Sequence, residues 1–476
     1  MSEPRTTGGW PALSPLVHLS NNWISLIGVV VVTTATVFWL FLLPTTLRGD
    51  VHSPYNGILA FLLLPVFFLS GLILIPLGIF LRKKWEHRQG LYPATFPPLN
   101  LKNVEFRRLV TFVGVTTFAN IVIASQLAYG AVSYMETGSF CGQTCHTVMQ
   151  PEFTAYQNSP HSRVECVECH IGPGEPWFVR SKLSGIRQVF LVTFHTYDTP
   201  IPAPVESMRP ARETCEACHW PQKYDQDRLV VINKFGDDEK NSLTKTVLML
   251  KIGGGNKGIG IHGTHLGPGV RIRYGHSDAA RQTIPWIEYS GPAGKTVYRA
   301  AGAAADGKGL SMREMDCLDC HNRPAHTFKL PEKAVDEALL AGDLAADLPF
   351  ARKKSVELLR INYASRTAAA ERIPADLEAY YRGSYPAIYA ARQAAVTSTA
   401  RGLLAIYDSN VFPEMKVTWG TYANNIGHTD SPGCFRCHDD SHVSADGRKV
   451  TQDCGACHNL LAMDDPAPKV LTDLGK

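Results

Sequence analysis

Charged residues vanish from three stretches near the start of the chain. None occurs between Arg5 and Arg48, between Asp50 and Arg82, or between Arg108 and Glu136. Inside these gaps lie the apolar runs 23–43, 58–81 and 109–134. About 20 apolar residues cross a bilayer core as a helix, and a charge at the helix centre costs roughly 2.5–3.5 kcal/mol. The pattern therefore predicts a short tail (1–21) and a membrane domain of three transmembrane helices (22–134). Three buried helices of a soluble protein are the competing reading. Pro65 and Pro76 fall within the second run and predict kinks there, which membrane helices tolerate.

The pattern changes after residue 134. Within 221–310 the runs 246–252, 270–274, 284–289 and 296–299 are short, β-branched or aromatic, and separated by glycines. They predict a small antiparallel β-rich insert. Residues 331–406 are rich in Ala and Leu, with Val335, Leu339, Leu340 and Leu344 at helical spacing behind Pro331, a residue suited to a first helical turn. They predict a helical connector. The segment 251–260 lacks the ending of a phosphate loop and reads as a hairpin turn. The last residues, 461–476, read as a solvated tail.

Composition adds little except through its distribution. The net charge is +4. Between residues 82 and 108 stand Arg82, Lys83, Lys84, Arg88, Lys102, Arg107 and Arg108 against Glu86 and Glu105. That loop is basic and the remainder of the chain is slightly acidic, so the folded region has no basic face and nucleic acid is excluded as a partner. Basic loops stay in the cytoplasm. The tail is then cytoplasmic, the hairpin 48–55 is outside, and everything after 134 faces the periplasm from the inner membrane of a bacterium. The first run is too long for a signal peptide and lacks an A-x-A cleavage site.

All 12 cysteines lie on that outer side, in local pairs. Five pairs read C-x-x-C-H: Cys166, Cys169 and His170; Cys215, Cys218 and His219; Cys317, Cys320 and His321; Cys434, Cys437 and His438; Cys454, Cys457 and His458. The sixth, Cys141, Cys145 and His146, has one extra residue between its cysteines. C-x-x-C-H is the attachment signature of c-type haem. Two thiols must reach two vinyl groups of one porphyrin, and the next imidazole must lie under the iron. Zinc also uses C-x-x-C pairs, and disulfides suit the compartment, but neither requires His after every second Cys. The chain is therefore read as holding six covalently bound c-type haems, numbered here in chain order. About 340 residues serve them, so haem faces must form much of the core and neighbouring haems must lie close, as in an electron wire.

Distal iron ligands are sought among the remaining histidines. His161, His326, His428 and His442 lie within six residues of an attachment motif, and His195 stands in an aromatic context. All five are read as distal ligands, usually to a neighbouring haem. His262 and His265 lie in a Gly-rich stretch, and whether one of them ligates is left open. His276 and His52 are read as non-ligands. Met149, three residues after His146, would be a softer ligand that raises the potential of haem 1; apolar packing against the porphyrin is the alternative. Saturated irons pass electrons and bind no substrate, which disfavours a terminal reductase.

The stretch FCGQTCHTVMQPEFTAY (140–156), followed by Ser159-Pro160-His161 and the second motif, resembles the NapC/NirT/NrfH family of membrane-anchored multihaem quinol dehydrogenases. The likeness covers about residues 109–220. It implies that a membrane helix leads directly into haem 1 beside a quinol site, with (mena)quinol as substrate and a soluble cytochrome or reductase in the periplasm as redox partner. Met149 matches the family's haem 1 methionine, His161 the histidine before haem 2, and His195 an axial histidine. Lys182 falls near the family's quinol-site lysine. Lys182 or Arg187 would hydrogen-bond the quinol oxygen, with a role as haem-propionate partners or surface charges equally open. Gln188 stands where an acidic residue is usual.

The expected plan is then a membrane-anchored multihaem cytochrome. Its three transmembrane helices precede a mainly helical and loop-rich, haem-packed periplasmic region: a first haem module (135–220), the β-rich insert, and a second haem module (311–460) containing the connector. The expected function is respiratory electron transport from quinol to a periplasmic acceptor. The alternative is a wire subunit of a larger membrane complex with no quinol site of its own. Oligomeric state is left open.

Overall fold

The computed structural model describes residues 14–20, 22–47, 63–92, scattered positions between 111 and 130, 132–144, 146–171, 175–205, 208–220, 226–254 and 259–475. The expected hairpin at 48–55 and basic residues Lys102, Arg107 and Arg108 lie outside them, as do Cys145 and the side chains of His146 and Lys182. The chain forms two compact units, Met1–Phe140 and Cys141–Lys476.

In the first unit, helices Trp23–Leu47 and Leu64–Gln89 pack side by side. Glycine permits the approach: a Cβ on Gly28 would lie 2.8 Å from the Gly71 carbonyl oxygen, and one on Gly78 would lie 2.5 Å from Ser25 Oγ. Ser25 Oγ also donates to the Ile75 carbonyl across the pair at 3.0 Å. Small residues and hydroxyl bridges of this kind let helices associate where no water drives them together. Val66, Phe67, Leu69, Ile73 and Phe80 point outward and are exposed. Among the described residues one helix, Leu64–Gln89, is long and apolar enough to cross a membrane, not three. Trp23–Leu47 carries a shorter described apolar stretch, 23–36, and every described residue between 111 and 130 is helical. Pro76 lies inside its helix, but Pro65 occupies the first turn rather than a kink, because an N-terminal turn has no use for the missing N–H.

The second unit is mainly helical with β-sheets. Strands β1 (Arg228–Phe235), β2 (Leu243–Leu250) and β8 (His458–Asp465) form one antiparallel sheet in the order β1-β2-β8. Strands β3 (Arg271–His276), β4 (Trp286–Gly291), β5 (Gly294–Arg299), β6 (Ser311–Glu314) and β7 (Val443–Ser444) form another, ordered β6-β3-β4-β5-β7. Both sheets are completed by strands from the end of the chain. Residues up to Asp465 are thus paired backbone, where the sequence suggested a solvated end from 461. Ile272, Tyr274, Ile284 and Ile287 are buried on one face of the larger sheet, as alternation requires.

Four helices, Pro331–Ala341, Ala351–Leu359, Arg366–Ser384 and Pro386–Asn410, enclose the largest hydrophobic core. Leu348, Leu359, Ile373, Leu377, Tyr381 and Leu403 are fully buried there. A polar joint ties this bundle to β1. Arg352 reaches both oxygens of Asp336 at 2.7 and 3.3 Å and Asp237 at 2.7 Å, while Asn241 donates to the Ala346 and Leu348 carbonyls.

Candidate haem-binding sites

Each C-x-x-C-H motif is a single turn that aims thiols and imidazole together. His321 N–H donates to the Cys317 carbonyl at 2.8 Å, His219 to Cys215 at 2.7 Å and His438 to Cys434 at 3.0 Å. Residues four apart on such a turn share a face. Two of the turns are capped by an acid. Asp316 accepts from Leu318 N–H at 2.9 Å, and Asp453 from Gly455 N–H at 3.0 Å. The longer first motif has a local solution. Phe140–Thr144 winds as a π-helix, whose i→i+5 pattern absorbs one extra residue per turn.

The histidines that end five of the motifs each stand against a second histidine. Ring centroids are 6.1 Å apart for His170 and His326, 6.0 Å for His219 and His161, 6.4 Å for His321 and His262, 5.8 Å for His438 and His265, and 6.3 Å for His458 and His428. An imidazole nitrogen sits about 2 Å from a bound first-row metal, and the ring centre about 1.1 Å further on, so two rings facing one iron stand about 6 Å apart. The five pairs have that spacing. In every pair the distal histidine comes from outside its partner's own motif. The short helix Gly260–Leu266 supplies two of them.

Nitrogen usage agrees with the spacing. Nδ1 of His326 is bonded to the Glu152 carbonyl at 2.9 Å, that of His265 to Ile261 at 2.7 Å, that of His438 to Thr451 at 2.9 Å and that of His161 to Pro324 at 3.2 Å. A bond at Nδ1 fixes the tautomer and leaves Nε2 as the lone-pair donor. Burial holds His170, His321, His262 and His265 below the usual histidine range, favouring the neutral ring a metal requires. Nδ1 of His262 and His458 is buried without a partner.

The thiols are also ordered. The Cys166 thiol lies beside Cys141, and the Cys215 thiol beside Cys317. Cys169 lies within electrostatic reach of Cys218, Cys320 of Cys434, and Cys457 of Cys434. Each motif thus neighbours the next in chain order. Burial pushes the Cys320 thiol up to about 11 and Cys437 up to about 12, the reverse of what zinc binding or nucleophilic chemistry needs. Among the described residues no three His, Cys, Asp or Glu side chains gather as a zinc site would.

Two expected ligands are placed differently. His442 is buried in protein: Nδ1 is bonded to Asp439 Oδ1 at 2.8 Å and Nε2 to the Ile284 carbonyl at 2.6 Å. Protein oxygens cover both ring nitrogens, so neither is turned toward another imidazole or a motif cysteine, and the ligand reading of His442 is corrected to a structural one. His195 is exposed, with a left-handed φ of 53°, and stands beside Tyr197 rather than any described proximal ring. His276 bonds to the Asp278 carbonyl.

Met149 is half-buried on the helix His146–Gln157, one turn after His146. The expected quinol-site residues share the helix Glu175–Thr193. Arg187 and Gln188 are exposed there, and Gln188 Nε2 donates to Ser184 Oγ at 3.2 Å. Leu183, Val189, Phe190 and Phe194 on and just after this helix are exposed as well.

Sequence reading missed a buried cluster at motifs four and five. Asp319, inside the fourth motif, accepts from Tyr274 Oη at 2.5 Å and Arg313 Nε at 3.2 Å, and its own carbonyl accepts from Arg436 of the fifth motif at 2.5 Å. Nothing in the spacing of the cysteines marks it. Only the presence of ionisable residues at the variable positions, Asp319 and Arg436, could have drawn notice.

Residues 104–220 match the model of the NapC/NirT cytochrome c family, N-terminal region. The cytochrome c-type protein ImcH of Geobacter sulfurreducens is 37% identical over 452 residues, covering 92% of this chain and 88% of that protein. The cytochrome c-type protein NrfH of Wolinella succinogenes is 30% identical over 122 residues, 25% of this chain and 66% of that protein. No solved structure matches. With the attachment motifs, the family match and a relative aligned along nearly its whole length, the chain belongs to the NapC/NirT family of c-type cytochromes, electron-transfer proteins that carry covalently bound haem.

Proposed function

We propose that this protein holds six c-type haems in chain order and carries electrons from membrane quinol to a periplasmic acceptor. The observation that carries the reading is the set of five imidazole pairs spaced 5.8–6.4 Å apart, strung along neighbouring thiol pairs. Cys141, Cys145, Cys166, Cys169, Cys215, Cys218, Cys317, Cys320, Cys434, Cys437, Cys454 and Cys457 would hold the six porphyrins by thioether bonds. His146, His170, His219, His321, His438 and His458 would be the proximal ligands. His326, His161, His262, His265 and His428 would close the distal side of haems 2 to 6. When bound, the haems supply one-electron redox chemistry. Two imidazoles per iron exclude substrate from the metal, which suits relay rather than terminal reduction.

Met149 lies one turn after His146 on the same helix, where its thioether would be a softer distal ligand than imidazole. That makes haem 1 the distinct member and the natural entry point. Helix Leu64–Gln89 and its packed neighbour would anchor the chain in the inner membrane, with the basic loop inside and the haem region in the periplasm. The exposed apolar side chains around Arg187 and Gln188 suit a surface that meets lipid. Lys182 or Arg187 would hydrogen-bond the quinol oxygen, and oxidation of the quinol releases its two protons to the outside. A second reading, a wire subunit with no quinol site, is favoured by Gln188, an amide that takes up no proton where a carboxylate is usual.

The test is reduction of the purified holoprotein by a menaquinol analogue. Haem reduction that weakens in K182M and R187M supports quinol oxidation. Haems that stay oxidised with the analogue yet are reduced by dithionite refute it and leave the wire reading.

A further inference from the structure

The helix that carries the proximal residues of haem 1 also touches the distal ligand of haem 2. Glu152, one turn beyond Met149, meets His326 Nδ1 twice: its backbone carbonyl accepts at 2.9 Å, and its carboxylate Oε2 lies 3.3 Å away. Arg323 grips that carboxylate with bonds of 2.9 and 2.8 Å, and its Nε donates to the His326 carbonyl at 2.7 Å. The guanidinium in turn lies over the rings of Tyr422, at 4.1 Å, and Phe328, at 5.2 Å. Tyr422 is itself fixed, donating to the Ile201 carbonyl at 2.8 Å. Glu152 and Arg323 are largely buried, at 14% and 10% side-chain exposure. Among the described residues, such an arginine-held carboxylate stands beside one of the five imidazole pairs.

We propose that Glu152 and Arg323 are a tuning pair for haem 2, given that His326 and His170 are its axial ligands as proposed above. A negative carboxylate held beside the bonded Nδ1–H raises the electron-donating power of the ligating Nε2. A stronger donor favours the ferric state and lowers the reduction potential. Arg323 works in the opposite sense. It draws charge from the carboxylate and places a cation beside the site, limiting how far the potential falls. Two charges of opposite sign, one held against the imidazole and one behind it, set the value between them. Because Glu152 belongs to the helix His146–Gln157, the setting of haem 2 is mechanically tied to the haem 1 segment.

The sign of the effect separates tuning from support. Outer partners of metal-bound histidine typically change site properties by about 10–100-fold. E152Q removes the negative charge, keeps the shape and leaves Arg323 unpaired. At a fixed applied potential it should raise the reduced-to-oxidised ratio of one haem about tenfold, equivalent to 59 mV for a one-electron couple. R323Q removes the compensating cation and should lower the same haem's ratio, while the remaining haems keep their potentials. Spectropotentiometric titration of the full-length holoprotein reads both. Shifts of opposite sign in one haem support the proposal. Shifts of the same sign, or none, overturn it, because a merely structural contact would loosen the site in either variant. H326A keeps the ligand assignment separate. A new high-spin haem in H326A supports the axial pair, whereas a spectrum with no gain of high-spin haem over the parent protein refutes that assignment whatever E152Q does.

Discussion

Removal of the His265 imidazole should open one haem and only one. His265 faces His438 with 5.8 Å between ring centres, so the metal midway lies about 3 Å from each. Its Nδ1 is anchored to the Ile261 carbonyl at 2.7 Å inside the helix Gly260–Leu266. Alanine keeps that helix, because Thr264 retains its bond to the Gly260 carbonyl, and the lost contacts of Nδ1 with the Ile261 carbonyl and Thr264 Oγ1 cost only about 1–2 kcal/mol. No neighbour takes the vacated position. Thr264 donates to the Gly260 carbonyl at 2.7 Å, and His262 faces His321 instead. H265A should therefore convert one haem in six to a high-spin, carbon monoxide-binding form. H262A should do the same to a different haem, and the double variant to two. Ferric absorption near the charge-transfer band and carbon monoxide stoichiometry measure the count. Full low-spin character in H265A, or a double variant that opens only one haem, would refute the pairing derived from ring spacing.

Other variants probe the structure around the pairs. H442A should leave the spin state of every haem unchanged while destabilising the protein by about 1–3 kcal/mol, because the buried Ile284 carbonyl and the half-buried Asp439 carboxylate lose their partner, a result read by absorption spectra and thermal unfolding together. D336A strips Arg352, itself buried, of its bidentate partner. Breaking a buried pair from one side costs about 3–5 kcal/mol, and the remaining contact to the exposed Asp237 holds the expected loss to the low end in chemical denaturation. Chain made without haem attachment should keep the helices of 331–410 protected from protease, while 141–220 is cut rapidly. Equal protection of both segments would contradict the view that porphyrin faces supply the missing core of the haem-bearing segments.

How much of this could be read before the fold was known depends on how local each interaction is. Thiol attachment and the proximal imidazole are set within five or six residues, so the motifs and their π-wound variant at 140–144 follow from spacing alone. The helices of 331–410 also announce themselves, because Val335, Leu339, Leu359 and Leu377 supply an apolar face without help from elsewhere. Distal ligation is non-local. Nearness to a cysteine motif raises the chance that a histidine lies among the haems, but it does not say where Nε2 points. His442 is four residues from His438 and spends both nitrogens on protein oxygens. His262 and His265 are more than fifty residues from the imidazoles they face. Strand β1 was hidden because Asn233 and Lys234 interrupt its apolar run, and β8 because its first residue belongs to a haem motif.

The crossing of ligands between motifs has a physical consequence of its own. A motif that supplied both axial histidines to its own haem would make a closed bead on a string, free to turn relative to the next. Here His326 follows the fourth motif but faces the second, and His161 precedes the second but faces the third. His428 precedes the fifth but faces the sixth. With a haem iron bound between the rings, each such pair would be a crosslink between separate segments of the chain. The order of the haems and the fold of 141–330 and 420–465 are then one problem rather than two. Buried apolar residues concentrate in the helical bundle, while only Val148, Ala155 and Ala211 are buried hydrophobics among the described residues of 141–220. A segment so poor in its own core cannot offset its conformational entropy unless the groups it holds supply the burial. Spacing along the wire is therefore fixed by the same contacts that make the segment fold.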